Sequence, residues 1–266
     1  MSYVKDKIRE AKILALKLHR TANAGHVGAS LSCLELLGLV RFSWMMPQDR
    51  LILSKGHAAA GLYATLAIAG DINKDELMAE YYQEGTRFPA HPAPRTFESI
   101  PFATGSLGHG LSLAVGFCLS GRIAKKENKI FCITSDGELN EGSTWEAVLF
   151  AAHHGFSNLT WIIDRNGLQG FGRTEEVLCL EPLAGKLRAF NFHVEECDGH
   201  NVDALDETWR RGSKLAHDEG KPLVIIARTI KGYLWPEMAD KVACHYLPMS
   251  EKQYQDLITL IVSSDK

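Results

Sequence analysis

Apolar residues recur with a helical period early in the chain and form short, unbroken runs later on. Residues 5–20 carry apolar side chains three and four positions apart with Lys and Arg between them, which predicts an amphipathic helix. The stretch SLSCLELLGLVRF predicts a second helix with Ser30 or Ser32 as its N-cap. A short buried strand is predicted at 51–53, and a helix of small residues, AAAGLYATLAIAG, follows it.

Three later runs, 130–134, 159–163 and 223–227, are β-branched, short and not alternating. Parallel strands that are covered by helices on both faces have this pattern. Because helical patterns separate the runs, we predict an α/β fold: a doubly wound, mostly parallel sheet flanked by helices. Ligands of such sheets bind outside the carboxyl edge of the strands. Residues 88–110, rich in Pro and Gly, predict a long ordered loop, which is typical of a functional segment.

Composition narrows the class of protein. Lys and Arg total 29 against 32 Asp and Glu, so a basic footprint for nucleic acid is not expected. The six cysteines include no Cys-x-x-Cys pair, which favours a reducing, cytoplasmic setting. The N-terminal residues form no export h-region, and we expect no membrane span because every apolar run is short.

Polar positions follow two of the predicted strands. Asp136 and Gly137 come directly after one strand and precede a helical stretch that ends at Gly155. Taken alone, Asp-Gly is a common turn. Here the glycine lets the backbone approach a phosphate, and the helix N-terminus offers free N–H groups. Asn166 lies 30 residues after Asp136, at the end of the next strand. The pattern therefore predicts a diphosphate site with an oxygen-bound cation such as Mg²⁺.

This spacing is similar to the thiamine diphosphate fingerprint, in which Gly-Asp-Gly and a later Asn close a magnesium site. From about Val4 to Tyr246 the chain resembles transketolases in particular. The motifs that carry the resemblance are GHVG (25–28), SKGH (54–57), AHP (90–92), GSLGHG (105–110), SDG (135–137), ELNEG (138–142) and WEA (145–147). The resemblance implies a thiamine diphosphate-binding fold, with thiamine diphosphate and Mg²⁺ as cofactors.

The resemblance also implies three overlapping sets of site residues. The catalytic set is His26, His57, His91, His245 and Glu141. The cofactor-binding set is His57, Gly105, Leu107, Asp136, Gly137, Glu138, Asn166 and His245. The metal ligands are the Asp136 carboxylate, the Asn166 amide and the backbone carbonyl of Leu168. The remaining histidines are expected to be structural: His19, His153, His154, His193, His200 and His217.

By the same resemblance, His57 and His245 hydrogen-bond the diphosphate, while His26 and His91 contact sugar hydroxyls. The Gly105 carbonyl faces the 4′-amino group of the aminopyrimidine, and Leu107 packs against the cofactor rings. Glu141 lies at a subunit interface and couples to the partner's glutamate. The motifs depart from the family pattern at Ser135, which replaces a Gly, and at His109, where a Gln is frequent.

A transketolase also needs a pyrimidine-binding domain, and only 20 residues follow Tyr246. We therefore expect one diphosphate-side domain, residues 1–266, with a short tail from about 247. It would act as the N-terminal subunit of a split transketolase, in a heterotetramer with a C-terminal subunit. The expected reaction transfers a two-carbon ketol unit from a ketose, phosphorylated or otherwise anionic, to an aldose.

Three alternatives stay open from the sequence. The α subunit of a 2-oxo acid dehydrogenase or an acyloin-type enzyme shares the diphosphate fingerprint, although the early histidine motifs argue against it. A dinucleotide-binding dehydrogenase is suggested by Gly105, Gly108 and Gly110, but their order is G-x-x-G-x-G rather than G-x-G-x-x-G. The third alternative is a cofactor-binding or scaffolding protein that has lost its catalytic half.

Overall fold

Short strands form one parallel sheet in the computed structural model, which describes residues 1–94 and 96–263. In that part of the chain the strands are β1 (Arg50–Leu53), β2 (Ile130–Ser135), β3 (Leu159–Arg165), β4 (His193–Asp198) and β5 (Leu223–Arg228). Their order across the sheet is β1-β2-β3-β5-β4, and each neighbouring pair is parallel. The predicted α/β fold with a parallel sheet is confirmed.

Helices connect the strands and cover the sheet. They are α1 (Ser2–Thr21), α2 (Val27–Leu39), α3 (Ala59–Ala69), α4 (Lys74–Glu80), α5 (Gly110–Ile123), α6 (Gly142–His154), α7 (Thr174–Val177), α8 (Leu183–Ala189), α9 (Val202–Glu219), α10 (Ala243–Tyr246) and α11 (Glu251–Ser263). A π-helical turn, Val40–Trp44, extends α2, and short 3-10 turns at Gly56–Ala58 and Asp136–Asn140 follow β1 and β2. Between α4 and α5 the described residues form an irregular segment with one isolated bridge, Phe97 to Ile100.

The sheet separates two hydrophobic cores because successive strand residues point to opposite faces. Phe131 and Ile133 of β2 contribute to one core with α1, α2, α3 and α9. Ile130 and Cys132 contribute to the other core with α5, α6 and α8. All six residues of β2 are buried, which explains why its sequence shows no polar alternation.

The structure differs from the sequence prediction at two elements. β4, with the sequence HVEECD, was not predicted; it lies at the edge of the sheet and is mostly half-buried, so it carries charged residues. Helix α2 begins at Val27, earlier than the predicted serine cap. Ser30 and Ser32 are instead buried inside the helix, where their hydroxyls contact His19 and Asp164.

The last described helix returns to the beginning of the chain. α11 packs on α1, and its Leu257 and Ile261 join the first core. The segment Val27–Trp44 is long and apolar enough to cross a membrane, but 83% of it is buried inside the fold. It serves as a central helix of the first core.

Candidate active site

The carboxyl ends of the parallel strands bring the motif residues to one edge of the sheet. β1 runs into Ser54 and the turn that contains His57, and β2 runs directly into Asp136. β3 is followed by Asn166, and β5 is followed by Lys231. The N-terminus of α2 adds His26 to this edge, next to α10 with His245.

Four histidines that are far apart in sequence lie together. The ring centroid of His26 is 4.9 Å from that of His245, 5.5 Å from that of His57 and 6.0 Å from that of His91. His57 and His245 are 5.5 Å apart. The structure therefore groups all four histidines of the expected catalytic set around one space.

These imidazoles are kept neutral at pH 7. Burial, and then the neighbouring His91, lowers the pKa of His26 to about 4. Burial, and then Lys231, lowers the pKa of His245 to about 3. The pKa of His57 is well below its usual value because of burial and Lys55, and burial also lowers the pKa of His91. Neutral rings can both donate and accept hydrogen bonds. Within the described residues, the Nδ1 atoms of His26 and His245 are buried without a hydrogen-bond partner.

Close backbone packing explains the glycines beside these histidines. His26 adopts a left-handed conformation with φ of 62°, and its N–H donates to the His245 carbonyl at 3.1 Å. A Cβ on Gly25 would collide with the Tyr246 carbonyl oxygen, and one on Gly56 would collide with the Thr104 backbone. Gly105, with φ of 130°, leaves space for the ring of His91. These segments approach closely only because side chains are absent there.

Asp136 accepts hydrogen bonds from the segment of the chain that carries the other expected metal ligands. Oδ2 of Asp136 accepts from Arg165 Nη1 at 2.9 Å, from the Gly167 N–H at 2.7 Å and from the Thr174 hydroxyl at 3.1 Å. Oδ1 accepts from the N–H of Gly137 at 2.9 Å. Burial raises the pKa of Asp136, and Arg165 opposes that shift.

The other two expected metal ligands are the Asn166 amide and the Leu168 carbonyl, which lie in the loop after β3. Oδ1 of Asn166 accepts from the Leu168 N–H at 3.1 Å, and the Leu168 carbonyl accepts from Lys231 Nζ at 2.9 Å. In residues 1–94 and 96–263, no cluster of three His, Cys, Asp or Glu side chains is arranged to hold a metal ion alone. A carboxylate, an amide and a carbonyl do fit Mg²⁺, which takes few protein ligands and completes its six oxygens with phosphate and water.

Glu138 connects three segments of the site. Its Oε1 accepts from the Ser54 hydroxyl at 2.5 Å and from the Gly108 N–H at 3.2 Å, while its Oε2 accepts from the Ser135 N–H at 3.0 Å. Ser54 Oγ in turn accepts from the Gly110 N–H at 3.0 Å. Burial raises the pKa of Glu138 to about 7. The carboxyl group thus holds the segment 105–110 against the ends of β1 and β2.

A buried ion pair lies beneath the site. Lys55 and Asp164 are both 0% exposed, and the ammonium contacts the carboxylate directly. Ser32 and Thr229 also donate their hydroxyls to Asp164, and Lys55 donates to the Ala29 carbonyl at 3.0 Å. Although burial opposes it, the pair with Lys55 lowers the pKa of Asp164. The pair links α2, β1, β3 and β5.

Two further residues of the expected site, Leu107 and Glu141, lie at its rim. Leu107 is half-buried, and Glu141 is exposed beside Gly108. Two residues that touch the expected ligands were missed by the sequence analysis: Arg165 on Asp136 and Lys231 on the Leu168 carbonyl. Arg165 carries no sequence signal, since a charged residue at a strand end usually faces solvent. Lys231 lies three residues beyond Arg228, the last residue of β5, and this position near a strand end was its signal in the sequence.

The chain is similar to known proteins in both sequence and fold. Residues 4–260 match the family model described as transketolase, thiamine diphosphate binding domain. One subunit of the apulose-4-phosphate transketolase of Actinobacillus succinogenes is 39% identical over 86% of this chain and 84% of its own length. The 6-deoxy-6-sulfo-D-fructose transketolase subunit SqwG of a Clostridium species is 38% identical over 87% of this chain and 86% of its own.

Solved transketolases have the same fold. The transketolase of Campylobacter jejuni superposes with a TM-score of 0.89 at 26% identity, over 98% of this chain and 43% of the solved one. The chain thus spans less than half the length of that enzyme, whereas it spans most of the two bacterial subunits.

Proposed function

Because this chain belongs to the family of transketolase thiamine diphosphate binding domains, we propose that it is the N-terminal subunit of a split transketolase. It would transfer a two-carbon ketol unit from a ketose to an aldose together with a separate pyrimidine-domain subunit. The observation that carries the proposal is the grouping of four neutral histidines and the Asp136 network at one sheet edge.

The residues present fit thiamine diphosphate with Mg²⁺. Asp136, Asn166 and the Leu168 carbonyl would hold the metal, and His57 and His245 would bind the diphosphate. The free Nδ1 of His245 supports this role, since a buried polar atom without a partner is rare unless a ligand pairs with it. Gly137 would let the backbone lie close to the phosphates because it has no side chain. The bound cofactor supplies a nucleophilic carbon and an electron sink for breaking the carbon–carbon bond.

Segment 105–110 would hold the rings of the cofactor. The Gly105 carbonyl would face the aminopyrimidine, and the half-buried Leu107 would pack against the rings. Glu138 supports that segment through the Gly108 N–H and Ser54. We therefore assign Glu138 to positioning the cofactor loop through these hydrogen bonds.

The remaining histidines would act on the sugar. His26 and His91 stay neutral at pH 7 because their pKa values are lowered, so each can donate or accept a hydrogen bond at a sugar hydroxyl. Their low pKa values make them weak bases, and they would act as hydrogen-bond partners that orient hydroxyls. Closure of the site by a partner would exclude water from these groups.

A separate subunit would complete the site. Both bacterial relatives are named as subunits and match this chain over most of their length. Exposed apolar side chains lie near the site, with Phe171 89%, Leu178 58% and Tyr246 55% exposed. Such a surface favours docking of another protein, and Glu141 lies exposed near Gly108. We propose a cytoplasmic heterotetramer of two such chains and two partners.

The donor is proposed to be an anionic ketose. The names of the two relatives specify a sugar phosphate and a sulfonated sugar, and both are anionic. The residues that recognise the anionic group are expected in the partner subunit, so this chain does not separate the two donors.

Cofactor binding by the chain tests the proposal first. Thiamine diphosphate with Mg²⁺ is expected to raise the Tm of the chain, while thiamine with Mg²⁺ is not, because only the diphosphate engages the metal. Asp136→Asn removes the charged metal ligand and is expected to weaken Mg²⁺ binding, measured by titration at saturating thiamine diphosphate, by about tenfold or more. Asp256→Asn on the surface helix α11 is the matched control. Unchanged Mg²⁺ affinity in the Asp136 variant would contradict the metal assignment.

Activity tests the reaction. The chain and the pyrimidine-domain subunit that co-purifies with it are combined with xylulose 5-phosphate, apulose 4-phosphate or 6-deoxy-6-sulfo-D-fructose and an aldose acceptor. Mass spectrometry follows the acceptor extended by two carbons. Extension only when both subunits are present is expected; turnover of pyruvate without ketol transfer would contradict the proposal.

A further inference from the structure

The last residue of β3, Arg165, holds the carboxylate of Asp136 at the end of the neighbouring strand. Ser135 of β2 pairs with Asp164 of β3 in the parallel register. The residues that follow them, Asp136 and Arg165, therefore lie side by side. Arg165 Nη1 donates to Asp136 Oδ2 at 2.9 Å, and the two side chains are 14% and 0% exposed. The guanidinium thus contacts a proposed metal ligand inside the fold.

The two carboxylate oxygens of Asp136 have different surroundings. Oδ2 accepts hydrogen bonds from three donors: Arg165 Nη1, the Gly167 N–H and the Thr174 hydroxyl. Among the described residues, Oδ1 accepts a single hydrogen bond, from the N–H of Gly137 at 2.9 Å. A carboxylate oxygen has two lone pairs, so Oδ2 is fully used and Oδ1 keeps a lone pair for a metal ion.

The other end of the Arg165 guanidinium is anchored on a second segment. Nη2 donates to Glu175 Oε1 at 2.5 Å and to Glu181 Oε1 at 3.4 Å. Glu175 Oε2 in turn accepts from the N–H groups of Leu180 and Glu181 at 3.1 and 3.3 Å. The planar fork of the guanidinium therefore has a fixed position, and the two glutamates balance its charge.

Mg²⁺ requires near-ideal octahedral geometry, so the direction in which each ligand oxygen points affects its affinity. Removing a group that orients a metal ligand typically weakens metal binding about tenfold to hundredfold. Resting on the function proposed above, we propose that Arg165 is a positioning residue: its fork holds Oδ2 of Asp136 and leaves Oδ1 to bind Mg²⁺. Arg165 acts through Asp136, which remains the ligand.

The selectivity between Mg²⁺ and Ca²⁺ tests this role. Each metal is titrated by calorimetry into the full chain at saturating thiamine diphosphate. Arg165→Met is expected to raise the Kd of Mg²⁺ by about tenfold to hundredfold. The Kd of Ca²⁺ is expected to rise less, because Ca²⁺ accepts a more flexible ligand geometry. The loss of a positive charge by itself would instead lower the Kd of both cations.

Two further variants separate the fork from the charge. Arg165→Lys keeps the charge, but an ammonium lacks the planar fork that joins Asp136 to Glu175, so a shift of the two Kd values in the same direction is expected. Thr174→Val removes another donor to Oδ2 at constant charge and nearly constant volume. It is expected to raise the Kd of Mg²⁺ by about threefold or more, and that of Ca²⁺ by less.

Arg228→Met is the matched control. Arg228 is the register partner of Arg165 on β5 and also pairs with a glutamate, Glu196 at 2.9 Å, but its side chain is 73% exposed. Its substitution is expected to leave both Kd values unchanged. The ligand-free Tm of each variant shows whether it is folded, and Thr174→Val decides the question if Arg165→Met is not.

Three results overturn the proposal and leave the proposed function standing. The first is that Arg165→Met folds and binds Mg²⁺ as tightly as the wild type or more tightly. The second is that the Kd values of both metals rise equally and Arg165→Lys recovers both, which assigns the effect to charge. The third is an unfolded Arg165→Met together with unchanged Kd values in Thr174→Val. If the wild-type chain binds neither metal with thiamine diphosphate, the metal site itself is wrong, and the proposed function fails as well.

Discussion

Lys55→Met is expected to destabilise the chain strongly. Lys55 and Asp164 are both 0% exposed, so removing the ammonium leaves a buried carboxylate without its counter-charge. Breaking a buried pair in this way costs about 3–5 kcal/mol. The hydroxyls of Ser32 and Thr229 still donate to Asp164, which places the expected loss at the lower end, about 3 kcal/mol. For a chain of this size that corresponds to a fall in Tm of about 6–12 °C.

The assay is urea denaturation at pH 7, followed by circular dichroism, with m compared between variants. Lys5→Met is the matched control: Lys5 pairs with Asp203 at 2.6 Å, but the two side chains are 46% and 60% exposed. Its loss is expected to cost less than about 1 kcal/mol. The double variant Lys55→Met with Asp164→Asn removes both charges and is expected to be more stable than Lys55→Met alone.

The reasoning is refuted if Lys55→Met costs no more than Lys5→Met, or if adding Asp164→Asn lowers the stability further. Either result means that the buried charges do not compensate each other as the geometry indicates.

Two further predictions concern Glu138 and His19. Glu138→Gln replaces one of the two carboxylate oxygens with an NH2 group, so either the Gly108 N–H or the Ser135 N–H loses its acceptor. The free energy of unfolding is therefore expected to fall by about 1–3 kcal/mol, and thiamine diphosphate is expected to bind more weakly. Exposed Glu146→Gln on α6 is the control, and equal stability of the two variants would contradict the role of Glu138. Burial lowers the pKa of His19 to about 4, below its unfolded value, so only the unfolded chain gains this proton as the pH falls below about 6.5. Relative to His19→Asn, the wild type is therefore expected to lose about 2 kcal/mol between pH 7 and pH 5 in urea denaturation, and a constant difference would contradict this.

Much of the fold could be predicted from the sequence because buried elements have the strongest hydrophobic patterns. β2, β3 and β5 are covered on both faces, so their unbroken apolar runs identified them. β4 was not predicted because it is a partly exposed edge strand, and its polar sequence, HVEECD, contains no apolar run. The start of α2 was misplaced because Ser30 and Ser32 have the chemistry of caps, yet their hydroxyls are used by His19 and Asp164 from other elements.

At the site, the sequence by itself determined which residue types are available and in which order: the histidine motifs, Asp136 with Gly137, and Asn166. Parallel strands end at the same edge of a sheet, so the strand pattern also predicted roughly where these residues meet. Only the tertiary structure decided how the charges are distributed there. Lys55 pairs with Asp164 over 109 positions, Arg165 pairs with Asp136 over 29, and Lys231 has no ion pair among the residues described. Charge pairing depends on distance in space and on burial, and neither can be read from local sequence spacing.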